Sequence, residues 1–211
     1  MKTEQFVASL VADRDGSTRP LGRSVSRAVL AGGLVSLVIF ALEFGPRVDL
    51  AAAFATWRFD AKLVLMLSAL VAASAACLAM ARPVITVRWR WAVLPVLLIA
   101  AAALGAELAV LPAGTWEARL VGSNALVCLT AIPLFALAPL AALLLTLRHA
   151  APASPTLAGA ACGALAAAAA AVIYAFHCFD DSPLFVLTWY SSAAIPVILL
   201  GAVVGRRLLR W

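Results

Sequence analysis

A short polar gap between two long apolar stretches carries the residues of this sequence that are best suited to chemistry. It reads HCFDDSPLFVLTWY, and its first polar positions are His177, Cys178, Asp180 and Asp181. An imidazole, a thiol and carboxylates can ligate a soft or borderline divalent metal ion. A neighbouring imidazole can also favour the reactive thiolate form of a cysteine. The sequence has no Cys-x-x-Cys or His-x-x-x-His spacing, so metal binding here depends on what the fold brings together.

The same gap also has a purely structural interpretation. DDSP is typical of a turn ahead of a helix, with Asp181 or Ser182 as the N-cap residue and Pro183 at the first helical position. We expect this turn to form, and a turn does not exclude a sensing role for the thiol within it.

The elements around this gap must be membrane helices. The 211-residue chain is 65% hydrophobic and 12% charged, with a mean hydropathy of +1.04. Soluble domains are about a quarter charged. The composition therefore predicts an integral membrane protein. The first residues carry charge throughout and contain no apolar core, so we expect no cleavable signal peptide.

Six apolar runs are each long enough to cross a bilayer as a helix, which takes about 20 residues. They cover residues 25–44, 62–81, 91–111, 120–147, 156–176 and 184–205. Their Ala and Leu content, without alternation of period two, favours helices over strands. We predict an all-α bundle of six transmembrane helices in residues 25–211, with residues 1–24 as a short N-terminal arm.

Basic residues divide unevenly between the two sides of this topology. Four lie on the side of the HCFDDSP gap, namely Arg47, Arg58, Lys62 and Arg119, and the other twelve Lys and Arg lie on the opposite side. The positive-inside rule makes the richer side cytoplasmic, so both termini are cytoplasmic. In a bacterial inner membrane the gap then faces the periplasm, where thiols can be oxidised. The net charge of +6 is interpreted as topology signal and contact with lipid headgroups, not as direct nucleic-acid binding.

The four cysteines fall at different depths. Cys128 lies about two turns into the fourth helix from its outer end, and Cys178 follows the fifth helix. They are the pair at similar depth on the oxidising side, so a disulfide is geometrically possible. Cys77 and Cys162 lie toward the inner side and are interpreted as small apolar fillers. From spacing alone, Cys128 and Cys178 also fit the role of fillers, and a metal site with His177 stays open.

Other polar residues near the spans have ordinary interpretations. Glu43 and Glu107 lie near outer helix ends, where they are expected to reach water. Asn124 falls inside the fourth predicted span and suggests a hydrogen bond between helices. Gly159 and Gly163 form a G-x-x-x-G that predicts close helix packing within the bundle in preference to a dimer face.

The N-terminal arm contains TEQFVASLVAD, whose pattern predicts a short amphipathic helix beginning near Thr3. Its apolar positions are Phe6, Val7, Leu10 and Val11. Such a helix can lie on the inner leaflet or place its apolar face in the groove of a partner. The acidic residues Glu4 and Asp13 favour binding to a partner over binding to the inner leaflet.

Three stretches together resemble a known family. They are GSNALVCLTAIPLFALAPLAALLLTLR, the gap sequence HCFDDSPLFVLTWY, and GAVVGRRLLRW at the end of the chain. This arrangement, with the arm and six spans, is similar to the NrsF family of membrane anti-sigma factors. The resemblance covers nearly the whole chain.

The resemblance implies a function. A protein of this family in the bacterial inner membrane holds an extracytoplasmic-function (ECF) sigma factor at the cytoplasmic face and releases it under metal or oxidative stress. It implies that Cys128 and Cys178 are the stress-sensing thiols, with a transient heavy-metal ion as a possible ligand and no resident cofactor. The arm around Phe6 and Leu10 becomes the expected sigma-contacting element, and the basic segments 82–90 and 206–210 are expected to add contacts. The implied partners are a sigma factor and membrane lipids.

Two other classes of function remain as alternatives. A small transporter or channel needs a polar path, and the spans offer little beyond Ser123, Asn124 and Thr130. An inert assembly factor would tolerate loss of both candidate thiols. An enzyme is not expected, because His149 and His177 fall on opposite sides of the membrane.

Overall fold

The computed structural model describes residues 21–84 and 87–210, and within these ranges it contains helices and turns without strands. Six helices are long and apolar enough to cross a membrane. They are α1 (Leu21–Glu43), α2 (Trp57–Met80), α3 (Val87–Val110), α4 (Ala125–Leu147), α5 (Pro155–Ala175) and α6 (Pro183–Leu208). The predictions of an all-α chain and of six apolar helices are confirmed. The arm residues Phe6, Val7, Leu10 and Val11 lie outside the described residues.

The starts of α2 and α4 differ most from the sequence prediction, each by five residues. α2 begins at Trp57, because Thr56 caps it by accepting a hydrogen bond from the amide of Phe59 at 3.4 Å. Lys62 therefore lies inside the helix. The predicted fourth span is interrupted: a short helix, Trp116–Val121, ends at Gly122, and α4 begins at Ala125. Gly122 has a φ of 58°, a conformation that glycine adopts without strain.

The other described helical segments are short or irregular. Single turns cover Leu50–Ala53 and Ala113–Thr115. α3 opens with a 3-10 segment, Val87–Ala92, and α6 contains a π-helical turn, Val186–Tyr190. Insertions of this π type bend and re-aim a helix and are frequent near functional sites.

α5 forms the centre of the bundle and contacts α1, α2, α4 and α6. Its alanines and glycines let the neighbouring backbones approach closely. Gly159 lies against the carbonyl group of Gly201 on α6, and Gly163 lies against the carbonyl group of Val197. The G-x-x-x-G motif is therefore used inside the bundle, as predicted.

α1 packs on α4 at a proline. Gly32 lies against the backbone of Pro139, where a β-carbon would collide. Proline has no N–H to donate to the carbonyl group four residues earlier. The hydroxyl of Ser36 donates a hydrogen bond of 2.6 Å to that carbonyl, which belongs to Phe135. One side chain of α1 thus satisfies the backbone group that the proline leaves free.

Candidate functional site

The two candidate thiols meet at one end of the bundle. Cys128 lies one turn into α4 and Cys178 lies in the α5–α6 connection, and both are fully buried. Their sulfur atoms are 3.9 Å apart, and the Cys128 thiol donates to the hydroxyl of Tyr174 at 3.6 Å. A disulfide bond is about 2.05 Å long, so the sulfurs need to approach by about 2 Å to form one.

Asp180 attaches the Cys178 loop to the start of α4. Its Oδ2 accepts hydrogen bonds from the backbone amides of Ser123 at 2.9 Å and Asn124 at 2.8 Å. It also accepts from both side chains, each at 3.1 Å. A carboxylate suits this position because the amides at a helix N-terminus carry partial positive charge. Asn124 therefore occupies the N-cap position of α4 and bonds to the loop, and the prediction that it lies inside a span is wrong.

Asp181 attaches the same loop to two cations. Its Oδ1 lies 2.6 Å from Nζ of Lys62 on α2, and its Oδ2 lies 2.7 Å from Nη1 of Arg47 in the α1–α2 connection. Both cations also donate to the carbonyl oxygen of Cys178, Lys62 at 2.8 Å and Arg47 at 3.2 Å. Asp181 is thus engaged in ion pairs, and Ser182 takes the N-cap position ahead of Pro183 without a capping side-chain bond.

Ser182 attaches the loop to α3. Its hydroxyl donates to Oε1 of Glu107 at 2.8 Å, and Oε2 of Glu107 pairs with Nε of Arg58 on α2 at 2.8 Å. Glu107 is fully buried, so the expectation that it reaches water is wrong, whereas Glu43 is exposed. A buried carboxylate is stable only when it is paired, and Arg58 supplies the pairing charge.

The surroundings of Cys178 also act on its thiol. The contact with the Cys128 thiol and the charge of Lys62 lower the pKa of Cys178 from an ordinary 9.0 to about 7, although desolvation opposes the shift. Cysteine reacts as the thiolate, so Cys178 is the more reactive member of the pair near neutral pH. Nearby, the bidentate pair of Arg47 with Asp49 raises the pKa of the arginine and lowers that of the aspartate.

His177 points away from a shared ligand set. Its Nδ1 lies 3.0 Å from the carbonyl oxygen of Gly45, and its ring packs edge-on against Phe40 and Phe44. In residues 21–84 and 87–210, no three His, Cys, Asp or Glu side chains are arranged to hold a metal ion. The structure therefore brings together the two cysteines of the predicted metal set, and it does not add His177 to them as a ligand group.

Sequence reasoning missed several members of this site. Arg47 and Lys62 were counted only as topology signal, because lysine and arginine near helix ends usually extend to the interface. Sequence reasoning also missed a thiol contact outside this site. The sulfurs of Cys77 on α2 and Cys162 on α5 are 3.9 Å apart and fully buried.

The opposite end of the bundle is rich in arginine and contains a cavity of about 980 Å³. Residues of α1 and α4 line it together with residues of the α2–α3 and α4–α5 connections, and its polar side chains include Arg27, Arg82 and His149. The amide of Ala153 donates to the carbonyl oxygen of Arg82 at 3.3 Å, which ties the α4–α5 connection to the α2–α3 connection beside this cavity. We call this region the arginine-rich end, and the region of the loop the Cys178 end.

Comparison with known proteins gives consistent matches. The model of the NrsF family, described as a negative regulator of sigma F, matches residues 10–211. The anti-sigma-F factor NrsF of Caulobacter vibrioides (strain NA1000 / CB15N) is 29% identical over 214 residues, covering 100% of both chains. The probable anti-sigma-F factor NrsF of Azospira oryzae (strain ATCC BAA-33 / DSM 13638 / PS) is 35% identical over 86 residues, covering 41% of this chain and 38% of the relative. No solved structure matches significantly. Since the family match includes all six long helices and the loop that carries Cys178, this chain belongs to the NrsF family.

Proposed function

We propose that this protein is an anti-sigma factor of the bacterial inner membrane. It holds an ECF sigma factor at the cytoplasmic face and releases it when the thiols of Cys128 and Cys178 react with an oxidant or a soft metal ion. The observation that carries the proposal is the contact of these two sulfurs at 3.9 Å in a chain of the NrsF family. No enzymatic step is part of it.

The charge distribution supports the orientation. The Cys178 end has seven acidic and four basic residues, and three of those four, Arg47, Arg58 and Lys62, are bound in ion pairs. Among the described residues, the arginine-rich end carries nine of the other twelve basic residues. We therefore assign the arginine-rich end to the cytoplasm and the Cys178 end to the periplasm.

The chemistry at the Cys178 end is a two-electron oxidation. The two thiols lose two protons and two electrons to a periplasmic thiol oxidant, and one sulfur–sulfur bond forms. Cys178 starts this reaction, because its contact with the Cys128 thiol and the charge of Lys62 lower its pKa and so favour the reactive thiolate. A soft divalent cation that bridges both sulfurs would link the same two elements.

Bond formation between the two sulfurs affects a loop that is attached to several helices. The loop after Cys178 is held to the start of α4 by Asp180, to α2 by Asp181 and to α3 by Ser182. Where rotation of the two side chains does not supply the approach of about 2 Å between the sulfurs, the loop or the helices attached to it move. Well-packed bundles transmit such strain, because their interiors have few voids to absorb it.

The sigma factor is held at the arginine-rich end. We assign sigma binding to the arm, residues 1–24, through Phe6, Val7, Leu10 and Val11, with the segments 82–90 and 206–210 as additional contacts. The last residues of the arm, 21–24, form the start of α1, and Leu21 lines the cavity at this end. A tenfold loss of affinity requires only about 1.4 kcal/mol, so a small rearrangement of α1, α2 and α4 is enough to release the partner.

Co-purification tests the proposal. The full chain is expressed with the ECF sigma factor encoded beside it, once intact and once without residues 1–15. We expect the intact chain to retain the sigma factor and the shortened chain to lose it. Failure of the intact chain to retain it overturns the anti-sigma assignment.

A second set of co-purifications tests the role of the thiols. We expect an oxidant to release the sigma factor from the native chain and not from Cys128→Ser or Cys178→Ser. Cys77→Ser is the matched control, since it removes a buried thiol at the other end, and it should respond like the native chain. Equal release from all four proteins would overturn the sensing role and leave sigma binding intact.

A further inference from the structure

A second pair of thiols lies far from the Cys178 loop. Cys77 is three residues from the end of α2 at Met80, and Cys162 is seven residues from the start of α5 at Pro155. Both positions are near the arginine-rich end. Their sulfurs are 3.9 Å apart, and each side chain has no exposed surface. Two thiols from different helices therefore face each other inside the bundle.

The surroundings of this pair restrict what it can bind. No third His, Cys, Asp or Glu joins the two sulfurs within the part of the chain that the structure describes. A structural zinc ion takes four ligands, so it does not fit a pair. Thiophilic ions that accept two ligands in a line do fit, because soft thiolates are their preferred donors.

The distances are compatible with such an ion. Metal–thiolate bonds are about 2.3 Å long for zinc, and a linear unit of two such bonds places the sulfurs roughly 4.6 Å apart. The sulfurs of Cys77 and Cys162 need to separate by less than about 1 Å from their present 3.9 Å. A disulfide needs a larger movement in the opposite direction, to about 2.05 Å.

Charge selects among the thiophilic ions. Both thiols are fully buried in the apolar core, and the buried residues of α5 nearest to Cys162 along the chain include Ala158, Ala161 and Leu165. An uncompensated charge is costly in such an environment. A divalent cation with two thiolates gives a neutral complex, whereas a monovalent cation leaves one negative charge. We propose that Cys77 and Cys162 form a dithiol site that binds one divalent thiophilic cation of the Hg²⁺ type with release of two protons.

This site is separate from the thiols assigned to stress sensing. Its two cysteines lie on α2 and α5, and the other pair joins α4 to the α5–α6 connection. A bound ion would link α2 to the central helix at the arginine-rich end. The inference stands on the geometry of this pair and does not require the sigma factor.

The test uses the full chain in detergent with Cys128→Ser and Cys178→Ser, so that Cys77 and Cys162 are the remaining cysteines. The protein is exposed to HgCl₂ in the presence of excess glutathione, a competing monothiol, and then measured by native mass spectrometry. We expect a gain of one mercury and a loss of two protons for each chain. Zn²⁺ under the same conditions should leave the mass unchanged.

Replacement of Cys77 or Cys162 by serine in this chain should abolish mercury retention, because one remaining thiol cannot hold the ion against excess glutathione. Circular dichroism checks that each variant keeps its helices. Absence of mercury from the chain that retains Cys77 and Cys162 would overturn the proposal. Mercury retention by a chain that lacks Cys77 or Cys162 would overturn it as well. If one of these serine variants fails to fold, the mass measurement on the chain that retains both Cys77 and Cys162 still tests the proposal.

Discussion

The ammonium group of Lys62 lies 2.8 Å from the carbonyl oxygen of Cys178, although the two residues are 116 positions apart. The lysine side chain is fully buried, and it also contacts Asp181 at 2.6 Å. A cation inside α2 is therefore fixed to the peptide group of Cys178, a candidate sensing residue. This arrangement connects α2 to the reactivity of Cys178, because the charge of Lys62 favours the thiolate.

Lys62→Met is expected to raise the pKa of Cys178 relative to the native chain, since it removes a cation that stabilises the thiolate. The measurement is the pH dependence of thiolate ultraviolet absorbance in a chain with Cys77→Ser and Cys162→Ser. Lys62→Arg is the control, because it keeps a positive charge at this position. An unchanged midpoint in Lys62→Met would contradict the assigned role of the lysine.

The lowered pKa of Cys178 also makes the free energy of unfolding depend on pH. A thiol whose pKa is lower in the folded protein adds stability above its ordinary pKa of 9.0, and this contribution is lost as the pH falls through about 7. Lys62→Met should therefore flatten the pH dependence of unfolding between these values.

The helices were predictable because apolar length is a local property of the sequence. All six appear, and the packing of Gly159 within the bundle also followed from its spacing with Gly163. The start of α4 was not predictable in the same way. It depends on the positive φ of Gly122 and on the capping carboxylate of Asp180, which comes from 56 positions further along the chain.

The thiol contacts and ion pairs were predictable only in part, because they join residues that are far apart in the chain. The similar depth of Cys128 and Cys178 could be counted along the chain, and the structure places their sulfurs 3.9 Å apart. Hydropathy does not specify how an alanine-rich helix is rotated about its own axis, so the contact of Cys77 with Cys162 was missed. Glu107 was misassigned because its partner, Arg58, lies 49 positions away on another helix.

Arg58→Met is expected to destabilise the fold by about 3 kcal/mol, because it leaves the carboxylate of Glu107 buried without its pairing charge. The measurement is the free energy of unfolding in a denaturing detergent. The double variant Arg58→Met with Glu107→Gln should recover much of this loss, since an amide oxygen can still accept from Ser182. Equal destabilisation of the single and double variants would show that the charge pair is not the cause.

Ser36→Ala is expected to cost about 1 kcal/mol of unfolding free energy, the range found for hydrogen bonds between membrane helices. The substitution removes the donor to the carbonyl group of Phe135, which Pro139 cannot satisfy. Ser74→Ala is the matched control. Its hydroxyl bonds to the carbonyl oxygen of Leu70 within the same helix, so little change is expected. Equal costs for the two variants would contradict the bridging role of Ser36.

Gly159→Ala is expected to separate α5 from α6, because the added methyl group would overlap the carbonyl group of Gly201 and neither backbone has room to withdraw. We expect a loss of about 2 kcal/mol or more, within the range for overpacked interiors, together with partial loss of the thermal transition. The comparison is Gly105→Ala on α3, where an added β-carbon meets no atom within 4 Å. That change should be neutral or slightly stabilising, since alanine favours helix over glycine by about 1 kcal/mol. If both variants unfold at the same temperature as the native chain, close contact of α5 with α6 is not what holds the central helix in place.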